Sequence, residues 1–198
     1  FVVAYRDVGN NLRGTAVIGT VSGNSISYGY EYVFNHGNTY ASISVSALNS
    51  THFVVAYRDA DNNFYGTAVI GTVSGDTISY GDEYVFNYGS TYEISVSALN
   101  STHFVVAYQD NGNSNYGTAV VGTISGNSIS YSDEYVFNYA ITTYISVSAL
   151  NSTHFVVAYK DSSSCGTAVI GTVSGDTISY GDEYVFNYAI TTYISVSA

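Results

Sequence analysis

The chain is short of most features that mark nucleic-acid-binding, membrane-spanning or disulfide-stapled proteins. Its 198 residues carry only 4 Lys+Arg against 15 Asp+Glu, a formal charge of -11. Polyanions repel such a chain, which argues against nucleic acid and against anionic membrane surfaces as partners. No apolar run reaches the ~18 residues of a spanning helix, so no membrane insertion is expected. A single cysteine, Cys165, excludes an intramolecular disulfide framework. It follows Asp161-Ser162-Ser163-Ser164 in a turn-like stretch, with no base at a telling spacing, and reads as a free thiol. Proline, methionine and tryptophan are absent. The helix formers Glu, Lys, Gln and Arg are scarce, whereas Val, Ile, Thr, Ser and the 22 tyrosines are plentiful, which is β-sheet composition. With 46% hydrophobic and 10% charged residues, the chain can bury a core, and bulk disorder is not expected. The length fits one domain or two small ones. The chain opens on Phe1 with no visible leader, as expected of a mature product, an excised piece or part of something longer.

Repetition organises the chain. FVVAY recurs at Phe1, Phe53, Phe104 and Phe155, dividing the chain into units 1–52, 53–103, 104–154 and 155–198 of one repeat domain. Each unit continues through GTAV(I/V)GT(V/I)SG, (D/N)(T/S)ISY, EYVFN and ISVSA, and LNSTH closes the first three. Each holds four strand candidates; in the second unit they are 53–59, 66–74, 77–87 and 92–99. Gly75-Asp76 suits a tight hairpin, Asn100-Ser101-Thr102 a short turn, and 59–63 a longer polar loop. Four antiparallel strands in about 50 residues is the signature of a β-propeller blade.

The segment ISVSALNSTHFVVAY has the short-strand, polar-turn, apolar-strand shape that opens a WD-type blade, though it lacks the Trp-Asp dipeptide. With EYVFN it resembles the repetitive propellers of bacterial surface and secreted proteins, and the resemblance covers all four units. It implies ISVSA as the inner strand, FVVAY and GTAVIGTV in the centre, and ISYGDEYVF at the outer edge. The expected fold is therefore an all-β propeller of four blades of about 51 residues. Pairing of the last strand, 194–198, beside the first, 1–7, would close the ring and remove two sheet edges. The same pairing between copies would give a filament or array, and a segment of a longer ring is a third outcome.

Few constellations point to chemistry. Asn49, Asn100 and Asn151 each begin an Asn-Ser-Thr sequon at an expected hairpin tip, where either a glycan or a simple polar turn fits. His52, His103 and His154 follow these triplets, and no local set supplies the three or four ligands of a zinc site. Asp59, Asp61 and Asn63 place alternate oxygens as a Ca²⁺ loop does, without the downstream bidentate Glu. No other cofactor is indicated. Acid pairs recur at Asp82-Glu83, Asp133-Glu134 and Asp182-Glu183, with Tyr30-Glu31 in the first unit. Neighbours on a strand diverge, so these read as edge protection rather than paired catalytic carboxylates. Alternation places Tyr80, Asp82 and Tyr84 on one face, with Tyr131/Tyr135 and Tyr180/Tyr184 repeating the ladder. Buried, these rings are core between blades; exposed, tyrosine beside Asp and Asn suits a sugar-binding face.

Near-identical blades leave little room for the asymmetry an active site needs, so a non-enzymatic protein is expected. Two roles follow: an extracellular structural or adhesive repeat protein that self-associates into a filament or surface assembly, or a multivalent, lectin-like glycan-binding propeller.

Overall fold

A computed structural model describes residues 1–198 apart from the side chain of Ala41. The chain is 67% strand and 2% helix, arranged as curled antiparallel sheets that repeat with the sequence. The first blade is a three-stranded sheet of β1 (Val2–Asp7), β2 (Arg13–Ser22) and β3 (Ser25–Asn35). In the second, β4 (Thr39–Ala47) pairs with β5 (His52–Asp59), which pairs with β6 (Tyr65–Ser74). The outer edge of β6 carries β7 (Thr77–Tyr80) and then the beginning of β8 (Tyr84–Ala98). The end of β8 is the inner strand of the third blade, followed outward by β9 (His103–Asp110) and β10 (Tyr116–Ser125). β11 (Ser128–Tyr131) and β12 (Tyr135–Ile141) share its outer edge. The fourth blade repeats the order with β13 (Thr143–Ala149), β14 (His154–Lys160), β15 (Gly166–Ser174), β16 (Thr177–Tyr180) and β17 (Tyr184–Asn187).

ISVSA is thus the inner strand, and FVVAY and GTAV the central pair. The outer strand differs from expectation. In the second unit 77–87 is not continuous, because Gly81, Asp82 and Glu83 stand opposite only Val69 and Ile70 of β6. The extra residue makes a bulge that ends one ladder and restarts it. A second register shift lies within β4, β8 and β13, where Ser42, Glu93 and Tyr144 take positive φ of 85°, 51° and 53°; Tyr193, at the equivalent place, has φ 54°. The Ser-Gly-Asp hairpins behave as expected: Gly75 has φ +58° with open space around it, the conformation glycine adopts at least cost.

Strand alternation builds the core between blades rather than within them. Phe53, Val55 and Tyr57 of β5 face the first blade and meet Ala16 and Phe34. Val54 and Ala56 of the same strand face the third blade, with Phe104, Val106 and Tyr108. The third junction repeats this with Val105 and Ala107 against Phe155, Val157 and Tyr159. Two glycines per unit are seats for these rings: a Cβ on Gly71 would lie 2.1 Å from the Phe53 ring, and one on Gly66 2.4 Å from Phe86. The GTAV-x-G spacing is therefore a packing requirement.

The inner strands are also stitched to one another. Ser44 and Ser46 hydroxyls accept from the amides of Val96 and Ala98, each at 3.0 Å. Ser95 and Ser97 do the same for Val147 and Ala149 at 3.1 and 2.9 Å. The amides of Val196 and Ala198 donate in the same way to Ser146 and Ser148 Oγ, both at 3.1 Å. Residues 194–198 join no ladder, and β1 pairs with β2 alone. The pairing of 194–198 with 1–7 that would close a four-bladed ring is not formed in this structure.

Candidate functional site

The acidic residue that begins EYVFN is not idle edge charge. In every blade it accepts a hydrogen bond from the tyrosine that ends FVVAY: Tyr5 to Glu31 at 2.6 Å, Tyr57 to Glu83 at 2.6 Å, Tyr108 to Glu134 at 2.9 Å and Tyr159 to Glu183 at 2.6 Å. The outer-strand bulge brings the carboxylate back over the central strand. Burial pushes the Tyr57 and Tyr108 hydroxyls far above their ordinary range, reinforced by the adjacent carboxylate. Burial likewise raises the Glu134 carboxyl, partly offset by the bond from Tyr108. Asp82, Asp133 and Asp182 are left exposed.

Next to this pair the rim between the first and second blades opens into a cleft of about 480 Å³, lined by Val33–Gly37 and Tyr80–Glu83. Phe34 forms its buried floor, and the Tyr80 ring packs edge-on against Phe34 and Phe53, with centroids 6.1 Å apart in both cases. Asn35 is held rigidly: its Oδ1 accepts from the Gly37 amide at 2.7 Å, and its Nδ2 donates to Thr39 Oγ1 at 3.0 Å and to Asp59 Oδ1 at 3.4 Å. His36, Asp82 and Glu83 are exposed at the mouth. The Tyr80 hydroxyl is buried and has no hydrogen-bond partner within the protein. Its counterparts are satisfied, Tyr131 by the Tyr84 carbonyl at 3.3 Å and Tyr180 by the Tyr135 carbonyl at 3.2 Å. The junctions therefore differ: at the His36 position the later units carry Tyr88 and Tyr139, whose rings pack edge-on with Tyr65 and Tyr116.

The structure puts Tyr80, Tyr131 and Tyr180 between blades, Tyr84 and Tyr135 half-buried beside them, and Tyr184 exposed on the open face of the fourth blade. Of these, Tyr80 and Asp82 converge in the rim cleft. Asp59, Asp61 and Asn63 are engaged locally. Asp59 is buried and accepts from Asn35 and from the Asp61 amide, and Asp61 Oδ2 accepts from the Asn38 amide at 2.9 Å. Burial raises the Asp59 carboxyl, against the pull of those hydrogen bonds. Asn63 sits at φ +53°. No group of three or more His, Cys, Asp or Glu side chains converges among the described residues. Asn49, Asn100 and Asn151 are exposed at the hairpin tips, and each Oδ1 organises its turn; Asn49 accepts from the Thr51 and His52 amides, both at 2.9 Å. His52 closes the same turn through Nδ1 and Thr51 Oγ1 at 2.9 Å.

Residue-by-residue reading missed the position after FVVAY. Arg58 is 5% exposed, stacked 3.9 Å from the Tyr92 ring centroid, 4.3 Å from Phe64 and 4.8 Å from Tyr40, and it donates to Ser90 at 3.0 Å. These cation–π contacts tie the second blade to the inner strand of the third. Gln109 reaches the next strand instead through the Thr142 carbonyl at 2.7 Å. The period of 51 to 52 residues was the available signal, because it aligns Arg6, Arg58, Gln109 and Lys160.

No protein-family model matches the sequence, and no curated protein matches it. Solved structures do resemble the fold. The NanB sialidase of Streptococcus pneumoniae superposes with a TM-score of 0.60 at 15% identity, over 88% of this chain and 29% of the sialidase. AofleA of Arthrobotrys oligospora, in a form with three arginines replaced by alanine, gives 0.60 at 11% identity, over 93% of this chain and 54% of its own. The chain thus spans between about a third and a half of the structures it matches. No helix is long and apolar enough to cross a membrane. At these identities the likeness speaks for the fold, and the chain is an all-β array of propeller-like blades.

Proposed function

We propose that this is a secreted, non-enzymatic glycan-binding protein whose primary site is the rim cleft between the first two blades. One observation carries the reading: a cleft of about 480 Å³ sets the exposed side chains of Asp82, Glu83 and His36 around an aromatic floor. Sugars present hydroxyls beside C–H faces, matching Asp82, Glu83 and His36 over the Tyr80 and Phe34 rings. The likeness to a sialidase, an enzyme that acts on sugars, supports the reading through the fold. Glu83 is already bonded to Tyr57, which suits recognition better than proton transfer. The matching acid pairs at the later junctions would add weaker sites and avidity.

The test is a glycan array followed by calorimetric titration of the best hit against wild type and Asp82→Ala. Loss of the exposed carboxylate should weaken binding about tenfold, the worth of one good hydrogen bond. Absence of any glycan ligand, or identical affinity in both proteins, rejects the reading.

A second reading, an extracellular structural or adhesive repeat protein that self-associates, is favoured by a separate observation. The four near-identical units build their core between blades rather than within them.

A further inference from the structure

The three Asn-Ser-Thr tips, 49–51, 100–102 and 151–153, fold alike. Each joins an inner strand to its FVVAY strand, and all nine residues are exposed. The Asn Oδ1 collects the donors of the turn. In the first tip it accepts from the Thr51 and His52 amides, both at 2.9 Å, and from the Thr51 hydroxyl at 3.1 Å. The second tip repeats all three bonds at 2.9 Å. The third has them at 2.9, 2.9 and 3.0 Å. Among the described residues, none of the three Nδ2 groups donates to the protein.

The turn therefore uses the oxygen of each side chain and leaves its amide nitrogen free in water. A turn asks no more than that oxygen, and aspartate supplies it equally well. Elsewhere the units exchange the two residues freely: the hairpin position after Ser-Gly holds Asn24, Asp76, Asn127 and Asp176. The tips hold Asn alone, always with Thr two places on. That pair is what N-glycan transfer requires, an exposed carboxamide and a hydroxyl two residues later with no proline between. The Thr hydroxyl, by donating to Oδ1, draws electron density from the carboxamide and makes Nδ2–H easier to deprotonate.

We propose that Asn49, Asn100 and Asn151 are N-glycan attachment sites. In the transfer, Nδ2 loses one proton to a base of the transferase and bonds to the anomeric carbon of an oligosaccharide carried on a lipid pyrophosphate. The C–O bond at that carbon breaks, and the lipid pyrophosphate leaves with its electron pair. The three glycans stand on one rim. His52 lies opposite Thr72, near the end of β6 that turns through Gly75-Asp76, whereas Asn35 of the cleft lies opposite Gly14, at the end where the equivalent strand β2 begins. The attached sugars shield the first rim and leave Asn35 and its neighbours uncovered at the other. The inference rests on the secreted reading above only for passage through a compartment that holds the transferase.

The experiment is secretion of the full chain from a eukaryotic host, followed by a peptide-N-glycosidase in heavy-oxygen water, which labels each asparagine that carried a glycan. The expected result is an intact mass above 21.1 kDa that collapses on digestion, with label at all three positions. Asn49→Asp keeps the turn oxygen, so it should be secreted and melt as wild type does while losing one glycan of the three. Thr51→Val should also lose the glycan at Asn49, and Thr51→Ser should keep it. A secreted chain unmodified at all three positions overturns the proposal, and so does undiminished occupancy of Asn49 in Thr51→Val. The glycan array is read on chain made in a host without the transferase, so either reading can fail alone.

Discussion

The same side chain lives in two environments along this molecule, and the difference is its neighbour. Phe104 is 0% exposed at the second junction, while Phe1, the first residue of an identical FVVAY, is 55% exposed. Phe86 is 5% exposed and Phe186 55%. Leu99 and Leu150 follow the same ISVSA, yet one is buried and the other is 46% exposed. Each unit therefore encodes two half-interfaces, and stability accrues per junction, as in solenoid repeats, rather than per blade.

The largest expected contrast comes from the rings at that interface. Phe104→Ala should cost about 3–5 kcal/mol in urea denaturation, because a fully buried aromatic leaves a cavity between two blades. Phe1→Ala, measured at dilutions where the chain is monomeric, should cost under about 1 kcal/mol, as expected of a half-exposed position. Equal losses would mean that the first blade is covered in solution.

Overpacking gives a smaller version of the same test. A Cβ on Gly122 would fall 2.2 Å from the Phe104 ring, and one on Gly19 2.1 Å from Phe1. The geometry is the same, but Phe1 has solvent to move into and Phe104 does not. Gly122→Ala is expected to destabilise by about 1–3 kcal/mol. Gly19→Ala should be several-fold milder in the same assay.

Much of this architecture was legible in the sequence and part was not. The period, the antiparallel units, the inner position of ISVSA and the Gly-Asp hairpins follow from local chemistry, since turn residues and alternation act within a few positions. The bulge at Gly81-Asp82-Glu83 escaped because a one-residue mismatch depends on where β6 and β7 start pairing, which alternation alone does not encode. With the bulge unseen, Glu83 read as edge protection rather than as the acceptor for Tyr57. The rim cleft was half visible: Tyr80 and Asp82 stood out, but the unsatisfied Tyr80 hydroxyl depends on which backbone carbonyl the neighbouring blade presents.

pH sharpens the comparison at the tyrosines. Tyr57 and Tyr108 are raised by burial above the ordinary value of 10.0, so the folded state keeps protons that the unfolded chain releases. Stability is then fully present below pH 10 and declines above it, by up to about 1.4 kcal/mol per pH unit for each such group. Glu134, raised by burial from 4.5, acts with the same sign at lower pH: its contribution is complete below 4.5 and lost as pH rises through its folded value. Denaturation at stepped alkaline pH should show the decline, and Tyr108→Phe should make it shallower. An unchanged slope in that variant would mean the Tyr108 hydroxyl is open to solvent.

The smallest effect lies along the axis, in the serine stitches. Ser95→Ala removes the acceptor for the Val147 amide and leaves that donor against an apolar inner strand, at a cost of about 1 kcal/mol. Ser195 holds the same place in its unit, but no inner strand follows it within the chain. Ser195→Ala should therefore be silent in the stability of the dilute monomer. Stability curves on the two variants separate the cases: a serine that matters to the fold in the interior should not matter in the last strand. A measurable stability loss from Ser195→Ala in the monomer would show instead that the last strand is already paired within its own chain.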